Sequence, residues 1–434
     1  MHNPRIYIMI ATFHPQVGGA ERQALLQGRE LCARGYDATV VTLRHDRAWS
    51  RHEVVEGVPV VRVGGVFLGG REKLPASLRK LVYLLGVLAM GWALWRCRRS
   101  FDLLHVYQLN VLTLPAAFVC ASIGKPLIVA LRCADSGHLA GVWSSSGAQQ
   151  SVPDDGQDRS SGDLEALERM GKPMVHLAHH LLRRAGAVVI VLSTRMKADL
   201  AAHGFHPAVV RVIPNGVDVE RFRPVAAEAT PAEPARTVLF SGRLTYQKGV
   251  DVLLRAWCIV REQLPGSEQT RLAIVGAGPR QAQLEQQAKT LGIADSVEFA
   301  GLQRDIAAWL GSSSLVVLPS RWEGMPNALL EALACGLPCI ATRVSGSEDV
   351  IQHGVNGLLV EPDDHQALAE ALLSLLRDPA LARQFGHAAR ATAEARYSLE
   401  HVTDIYLELY QSLHRGQALA SPPQISASLP PAPI

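Results

Sequence analysis

The residues best suited to chemistry lie in one stretch, PSRWEGMPNALLE at positions 319–331. It follows an apolar run typical of a buried strand and ends in a helical pattern. The glycine and proline would let the backbone approach a ligand, and the amides of a helix N-terminus there would hold a phosphate group. The predicted site residues of this stretch are Glu323, Gly324, Met325, Pro326, Asn327 and Glu331.

The two carboxylates of this stretch differ in their predicted position. Glu323 lies in the loop, and Glu331 follows it by eight residues, about two turns into the helix. This spacing allows one carboxylate to bind sugar hydroxyls while the other binds a ribose. Two carboxylates at this spacing occur by chance, but the whole string after a strand is uncommon.

A basic pair, Arg243 and Lys248, follows the strand candidate at 237–240. A guanidinium offers a planar fork and an ammonium a mobile point charge, and the two together suit a diphosphate. A solvated basic turn explains the same pattern equally well. Both interpretations therefore stay open on these two residues alone.

Two glycine-rich turns follow strand candidates elsewhere. The sequence GAGP begins at Gly276 and resembles the start of a dinucleotide fingerprint, but Gln281 stands where the third glycine belongs. We interpret it as a turn where the backbone approaches a nucleotide. Near the N-terminus, Gly18 and Gly19 open a helix whose end would favour donor phosphates, with an ordinary turn as the alternative.

Strand and helix patterns alternate along both halves, which predicts two Rossmann-like, doubly wound α/β domains facing across a cleft. The strand candidates are 5–10, 38–43, 58–63, 103–106, 127–131 and 188–192 in the first half, and 237–240, 271–275, 296–299, 315–318, 338–341 and 357–360 in the second. The expected boundaries are a first Rossmann-like domain at 1–222 with a mobile loop at 136–163, a linker at 223–235, a second Rossmann-like domain at 236–395, a C-terminal helix at 396–415 and a disordered tail at 416–434.

The composition is that of an ordinary globular protein. Of 434 residues, 48% are hydrophobic and 19% charged, and the formal net charge is +3. This excludes a disordered chain and does not favour nucleic-acid binding. The seven cysteines include no CxxC pair, which favours free thiols in a reducing compartment, and we expect a cytoplasmic protein.

One apolar segment, Leu81–Trp95, has 15 residues without a charge and basic residues on both sides. A membrane-spanning helix needs about 20 apolar residues, so the segment is too short to cross easily. It fits a buried helix of the first domain or a helix lying in an anionic membrane surface. The second interpretation would place the protein peripherally on the inner face of the cytoplasmic membrane.

The second half resembles a known enzyme family. Residues 238–362 resemble the donor-binding half of a family 4 retaining glycosyltransferase of the GT-B architecture, through GRL and KG, IVGAGP, LPSRWEGMPNALLEALACGLPCIAT and NGLLVEP. The run IPNGVD at 213–218 also matches, so the resemblance covers most of the chain. It is specific for the fold and for retaining sugar-nucleotide chemistry, and it does not specify the sugar.

The resemblance implies that the domain at 1–222 binds the acceptor and the domain at 236–395 binds the nucleotide sugar. It also implies residue roles. Arg243 and Lys248 would bind the donor diphosphate, and Glu323 would contact the transferred sugar. Glu331 would hold the nucleotide ribose. The residues lining the sugar and phosphates would be Gly18, Gly19, Gly276, Gly324, Met325, Pro326 and Asn327. No divalent metal and no cofactor besides the nucleotide diphosphate sugar would be needed, because cations and a helix N-terminus can stabilise the leaving diphosphate.

The first half departs from the family at one position. Where the family commonly has a histidine near the reacting carbon, after the strand candidate at 127–131, this sequence has Arg132. Arg132 would bind the diphosphate or an acceptor anion, and Asp135 would orient an acceptor hydroxyl. His105, near another strand end, is a further candidate for acceptor contact, although a lone histidine there is more often structural.

The leading hypothesis is a retaining glycosyltransferase that moves a sugar from a nucleotide diphosphate sugar to a hydroxyl acceptor. The expected acceptor is a lipid-linked or polysaccharide intermediate of cell-envelope glycan synthesis. The expected partners are the donor, this acceptor and a peripheral membrane contact, with no nucleic acid. The alternatives are a sugar-nucleotide 2-epimerase and a degenerate, non-catalytic GT-B module, which the departure at Arg132 supports.

Overall fold

The computed structural model describes residues 3–15, 18–64, 76–132, 172–202, 205–225, 236–264 and 269–417. These residues form two compact units. The first unit holds the described residues up to Gly216 together with those from Leu399 onward, and the second holds the described residues from Val217 to Ser398. The predicted loop at 136–163, most of the predicted linker and the tail beyond 417 lie outside the described residues.

The first unit contains one sheet of eight strands among its described residues. Its strands are β1 (Ile6–Met9), β2 (Ala38–Leu43), β3 (His52–Val55), β4 (Val58–Val63), β5 (Leu103–Val106), β6 (Leu127–Ala130), β7 (Val188–Val191) and β8 (Val210–Val212). They lie in the order β3-β4-β2-β1-β5-β6-β7-β8, and every pair is parallel except β3 with β4.

The described helices of this unit are α1 (Gly19–Ala33), α2 (Ala76–Arg96), α3 (Thr113–Ile123), α4 (Lys172–Arg184), α5 (Thr194–Ala202) and α13 (Leu399–His414). The central strands are buried along their whole length: β5, β6 and β7 read LLHV, LIVA and VVIV. Continuous apolar strands of this kind are typical of a parallel sheet that is covered on both faces.

The last helix, α13, returns to the first unit. Val402, Tyr406 and Tyr410 belong to the same buried core as Ile6 and Ile8 of β1. Its first residue also lies directly beside Gly216, where an added Cβ atom would come within 3.1 Å of the Leu399 Cα atom. The core of the first unit therefore contains residues from both ends of the sequence.

The second unit has a sheet of six parallel strands among its described residues, β9 (Arg236–Ser241), β10 (Thr270–Val275), β11 (Val297–Gly301), β12 (Leu315–Leu318), β13 (Cys339–Thr342) and β14 (Gly357–Val360). Its helices are α6 (Val250–Gln263), α7 (Gln281–Thr290), α8 (Ile306–Gly311), α9 (Asn327–Ala334), α10 (Ser347–Val350), α11 (His365–Arg377) and α12 (Pro379–Thr392), which continues as a π-helical turn over Ala393–Tyr397.

The strand order of the second sheet, β11-β10-β9-β12-β13-β14, places β9 beside β12. From β9 the chain first builds the sheet in one direction through β10 and β11, and then starts again on the other side of β9 with β12. The loops after β9 and β12 therefore diverge to opposite sides. Open α/β sheets bind ligands at such a switch point, beyond the carboxyl ends of the strands.

The predicted fold class is confirmed, with two parallel-sheet α/β units. Four described elements of the first unit are not among the predicted ones, namely β3, α3, α5 and β8. β3 is a short edge strand with only one buried residue, and α3 is apolar around nearly its whole circumference. Neither element has the periodicity by which a strand or helix is identified in a sequence.

Candidate functional site

Two of the predicted site residues meet at the switch point of the second sheet. Lys248 ends a short 3₁₀ turn, Tyr246–Lys248, in the connection after β9, and Glu323 lies in the loop after β12. The Lys248 Nζ atom donates to the Glu323 Oε1 atom at 2.5 Å. The two side chains are 17% and 7% exposed. The pair is thus largely enclosed, and the ammonium retains access to solvent.

A second hydrogen bond fixes the Glu323 carboxylate. The buried Ser320 hydroxyl donates to Glu323 Oε1 at 2.7 Å. The carbonyl oxygen of Ser320 in turn accepts a short hydrogen bond from the Thr342 hydroxyl at the end of β13. Because two donors converge on one carboxylate oxygen, the orientation of this side chain is fixed before any ligand arrives.

A second ion pair joins the loop after β12 to the first turn of α6. Arg321, two residues before Glu323, donates from both Nη atoms to the two carboxylate oxygens of Asp251, at 2.9 and 2.8 Å. It also donates to the Tyr246 carbonyl at 2.6 Å, and its guanidinium lies 3.9 Å from the centroid of the Tyr246 ring. We call Arg321, Asp251 and Tyr246 the loop clamp.

The charges of the loop clamp are stabilised mutually. Burial alone would raise the pKa of Asp251, but the hydrogen bonds and positive charge of Arg321 hold it below its ordinary value. Burial would lower the pKa of Arg321, and the hydrogen bonds and negative charge of Asp251 raise it instead. Both groups are therefore ionised at neutral pH.

Backbone contacts bring the loops still closer. Gly249, just after Lys248, has a φ of +63°, and an added Cβ atom would lie 2.0 Å from the carbonyl oxygen of Pro319. Gly276 has a φ of +141°, and a Cβ atom there would lie 1.8 Å from the Gly242 carbonyl oxygen. Only glycine fits these two positions. The loops after β9, β10 and β12 consequently form one packed surface.

The remaining predicted residues of the second unit surround this surface. Gly324, Met325 and Pro326 are buried, and Pro326 is the N-cap of α9 without a capping side chain. Glu331 is buried on α9. Arg243 is exposed in the loop after β9. Their roles toward a donor stay predictions.

The predicted glycine turn of the first unit is built differently. Gly18 is the N-cap of α1, and its amide donates to the Glu21 Oε2 atom at 3.0 Å. The Thr12 hydroxyl makes a short hydrogen bond to the other oxygen of Glu21. The N-terminus of α1, which begins at Gly19, thus already carries a carboxylate of the same helix.

His105 lies in a sealed group of polar side chains. Its Nδ1 atom is 2.8 Å from the Tyr410 hydroxyl, which also accepts from the Gln27 Nε2 atom at 2.9 Å. Tyr107 makes a short hydrogen bond to the Gln27 Oε1 atom. We call His105, Tyr107, Gln27 and Tyr410 the tyrosine cluster. His105 is fully buried, so the structure does not support its predicted contact with an acceptor.

Arg132 borders the tyrosine cluster. Its guanidinium lies 4.0 Å from the centroid of the Tyr107 ring, and its Nη1 atom donates to the Asn215 Oδ1 atom at 2.8 Å. Its Nη2 atom is 3.5 Å from the Tyr406 hydroxyl of α13. Arg132 is 9% exposed, and its predicted contact with a diphosphate or acceptor anion stays a prediction. Asp135 lies outside the described residues.

Comparison with known proteins decides the family. The description "Glycosyl transferases group 1" matches residues 235–378, and "Glycosyl transferase 4-like domain" matches residues 18–216. A D-inositol 3-phosphate glycosyltransferase of Saccharomonospora viridis is 32% identical over 58% of this chain and 68% of its own length. The chain belongs to the family 4 glycosyltransferases of the GT-B fold.

Solved structures show the same fold. A sucrose-phosphate synthase from Thermosynechococcus elongatus matches with a TM-score of 0.72 and 23% identity, over 96% of this glycosyltransferase and all of the other chain. The Anabaena protein HepE, in complex with UDP-glucose, matches with a TM-score of 0.68 and 20% identity, over 94% of this chain and all of its own.

The loop clamp is the part of the site that sequence reasoning missed. Arg321 stands beside Glu323 in the motif, and Asp251 lies in the first turn of α6, where an acidic residue is usually explained by the helix dipole. Their partnership spans 70 residues of sequence. One feature of the sequence could have indicated it. Arg321 lies in the predicted ligand-binding loop, and a buried arginine there needs an acidic partner.

Proposed function

We propose that this glycosyltransferase transfers a sugar, with retention, from a nucleotide diphosphate sugar to a hydroxyl group of a lipid-linked or polysaccharide acceptor in cell-envelope glycan synthesis. The observation that carries the proposal is the Lys248–Glu323 pair at the switch point of the second sheet. The pair presents a cation for a diphosphate and a carboxylate for sugar hydroxyls at one place.

Lys248 is suited to the diphosphate even while it is paired. An ammonium group has three N–H donors, and Glu323 accepts only one of them. The exposed guanidinium of Arg243 in the same loop supplies a second cation. As the bond between the anomeric carbon and the diphosphate oxygen breaks, negative charge grows on the leaving group, and these cations stabilise it most in the transition state. We propose that no divalent metal is required.

The acceptor oxygen then bonds to the anomeric carbon from the face that the diphosphate leaves. The bond to the diphosphate breaks before the new bond forms. The intermediate state is an ion pair of the oxocarbenium-like sugar and the departing diphosphate. The acceptor hydroxyl gives its proton to an oxygen of the departing diphosphate, so that the products are the glycoside and the nucleoside diphosphate. Glu323 holds the sugar hydroxyls throughout, since its carboxylate is already oriented by Ser320 and Lys248.

The experiment supplies radiolabelled UDP- and GDP-sugars and a bacterial lipid extract to the full chain. We expect label to move into lipid or polymer. We expect Glu323→Gln to lower the turnover by about a hundredfold to a thousandfold. The neutral amide lacks the negative charge that binds the Lys248 ammonium and the sugar hydroxyls. The matched control is Glu298→Gln, which removes an exposed carboxylate paired with Arg271.

Four outcomes would contradict the proposal or one of its parts. Epimerised sugar nucleotide without transfer would identify an epimerase, and tight nucleotide binding without any turnover would identify a non-catalytic module. Full activity of a folded Glu323→Gln variant would remove the role of that carboxylate. A product of inverted anomeric configuration would remove retention while leaving transfer intact.

A further inference from the structure

Helix α2 carries a row of large apolar side chains on its outside. Leu84, Leu88, Trp92 and Trp95 follow one another at helical spacing, and Leu85 lies beside the first of them. Leu88 is 60% and Trp92 63% exposed. Single exposed hydrophobic residues are normal in a folded protein, but a continuous row on one helix marks an interaction surface.

The opposite side of α2 packs in the usual way. Met90 and Leu94 are fully buried, and Gly91 lies against Pro115 of α3, where an added Cβ atom would come within 3.0 Å. The described part of α2 is thus apolar on two sides, of which the protein covers one. A helix that is apolar all round is normally buried on every side, so the outer side is expected to have a partner.

The neighbouring helices extend this apolar surface. α3 packs against α2 and α4 packs against α3. Each contributes one further exposed apolar side chain, Phe118 and Leu177. We call the following residues the apolar face: Leu84, Leu85, Leu88, Trp92, Trp95, Phe118 and Leu177. They are seven of the ten exposed large apolar residues in the described chain, so exposure of this kind is concentrated in one layer of the first unit.

A basic group follows the apolar face at the end of α2. Arg96 and Arg99 are exposed. The guanidinium of Arg98 lies 5.0 Å from the centroid of the Trp95 ring and donates to the Trp95 carbonyl at 2.9 Å. Tryptophan and arginine side by side are typical of the boundary between hydrocarbon and lipid headgroups. The exposed arginines beside the apolar face match the charge of an anionic lipid surface.

We propose that the apolar face and the arginines after it dock the first unit on the surface of an anionic lipid bilayer. The leucines and tryptophans enter the outer hydrocarbon, and Arg96 and Arg99 contact lipid phosphates. In the part of the chain that the structure describes, no helix has the length and apolar content to cross a bilayer. This contact deepens the proposed function by bringing the enzyme to lipid-borne acceptors, but vesicle binding itself needs no activity.

The test measures co-sedimentation of the full chain with vesicles of phosphatidylcholine alone and of phosphatidylcholine with phosphatidylglycerol. We expect binding to the mixed vesicles and a strong decrease with salt. Leu88→Gln with Trp92→Gln is expected to weaken binding by at least about tenfold, because both side chains lose their insertion into hydrocarbon. Arg96→Gln with Arg99→Gln is expected to weaken it by about fivefold for each charge, and only on the anionic vesicles.

The matched control is Leu302→Gln, which removes an exposed leucine from the second unit and is expected to leave binding unchanged. All substituted residues are on the surface, so melting temperatures should match the parent protein. The proposal is overturned if the parent chain does not co-sediment with the anionic vesicles. It is equally overturned if light scattering shows a dimer that Leu88→Gln with Trp92→Gln converts to monomers, since the apolar face would then bind a second copy.

Discussion

Both sheets of this glycosyltransferase have a point at which the strand order reverses. The side chains that lie at that point differ between the two sheets. In the first sheet the reversal lies between β1 and β5, where the neutral side chains of the tyrosine cluster are buried and the Arg132 guanidinium borders them. In the second it lies between β9 and β12, where the loop clamp and the Lys248–Glu323 pair hold charges near solvent. One reversal point has become core, and the other keeps reactive groups accessible.

The difference follows from the residue types. Aromatic hydroxyls and an amide satisfy one another without net charge, so they can be buried completely. Carboxylates and basic groups tolerate burial only as close pairs, and they keep the ability to exchange a partner for a ligand. The comparison predicts that loss of a single side chain destabilises the charged groups of the second sheet more than the tyrosine cluster.

The largest effect is expected for Arg321→Met. It removes the bidentate partner of the largely buried Asp251 carboxylate and leaves it only the longer contacts to Arg255 and Arg280, at 3.2 and 3.5 Å. Losing the two charged hydrogen bonds costs about 3 kcal/mol of unfolding free energy. Urea denaturation of the second unit measures the change. The control Arg271→Met removes an arginine from an exposed pair and should cost less than about 1 kcal/mol. Similar losses for the two variants would show that the loop clamp contributes no more than a surface ion pair.

A smaller effect is expected for Tyr410→Phe. The lost hydroxyl leaves two buried groups, the Gln27 amide and the His105 Nδ1 atom, without that hydrogen bond, at a cost of about 2 kcal/mol. Denaturation of the first unit measures it. Tyr36→Phe is the control, because its hydroxyl accepts from Gln411 at a partly exposed position. A stability equal to that of the parent chain would mean that packing alone holds the tyrosine cluster.

The smallest effect concerns acid. Burial holds the pKa of His105 well below its ordinary value of 6.5, and the charge of Arg132 acts in the same direction. Between these two values the unfolded chain binds a proton that the folded chain does not, so stability falls as the pH falls below 6.5. His105→Gln should therefore lose about 1 kcal/mol less of its unfolding free energy than the parent between about pH 7.5 and pH 5.5. Equal losses in both proteins would contradict a neutral, buried His105.

Much of the fold could be predicted because its strands are buried on both faces. β12 is an unbroken apolar run, β5 is apolar except for His105, and the bounds of both strands are those predicted. The partnership of Lys248 with Glu323 could not be read from the sequence, because the two residues are 75 positions apart and meet only through the strand order. Each was predicted to follow a strand, which the structure shows, but as an independent contact to a ligand.

The return of α13 was also beyond reach of local patterns. A C-terminal helix at 396–415 was predicted from its periodicity, and α13 spans Leu399–His414. Its periodicity shows that one side is buried, but not which core covers it. Tyr406 and Tyr410 pack against residues far earlier in the sequence. Tyr410, for example, makes a hydrogen bond with His105, from which it is 305 positions apart.

This return has a consequence for the order in which the protein can be made. The part of the first unit up to Gly216 is synthesised before the second unit, yet its core takes in Val402, Tyr406 and Tyr410. Until the final helix has been translated, β1 and His105 lack the side chains that cover them, and the nascent chain presents an incomplete domain to chaperones. The unit encoded first is therefore the unit finished last.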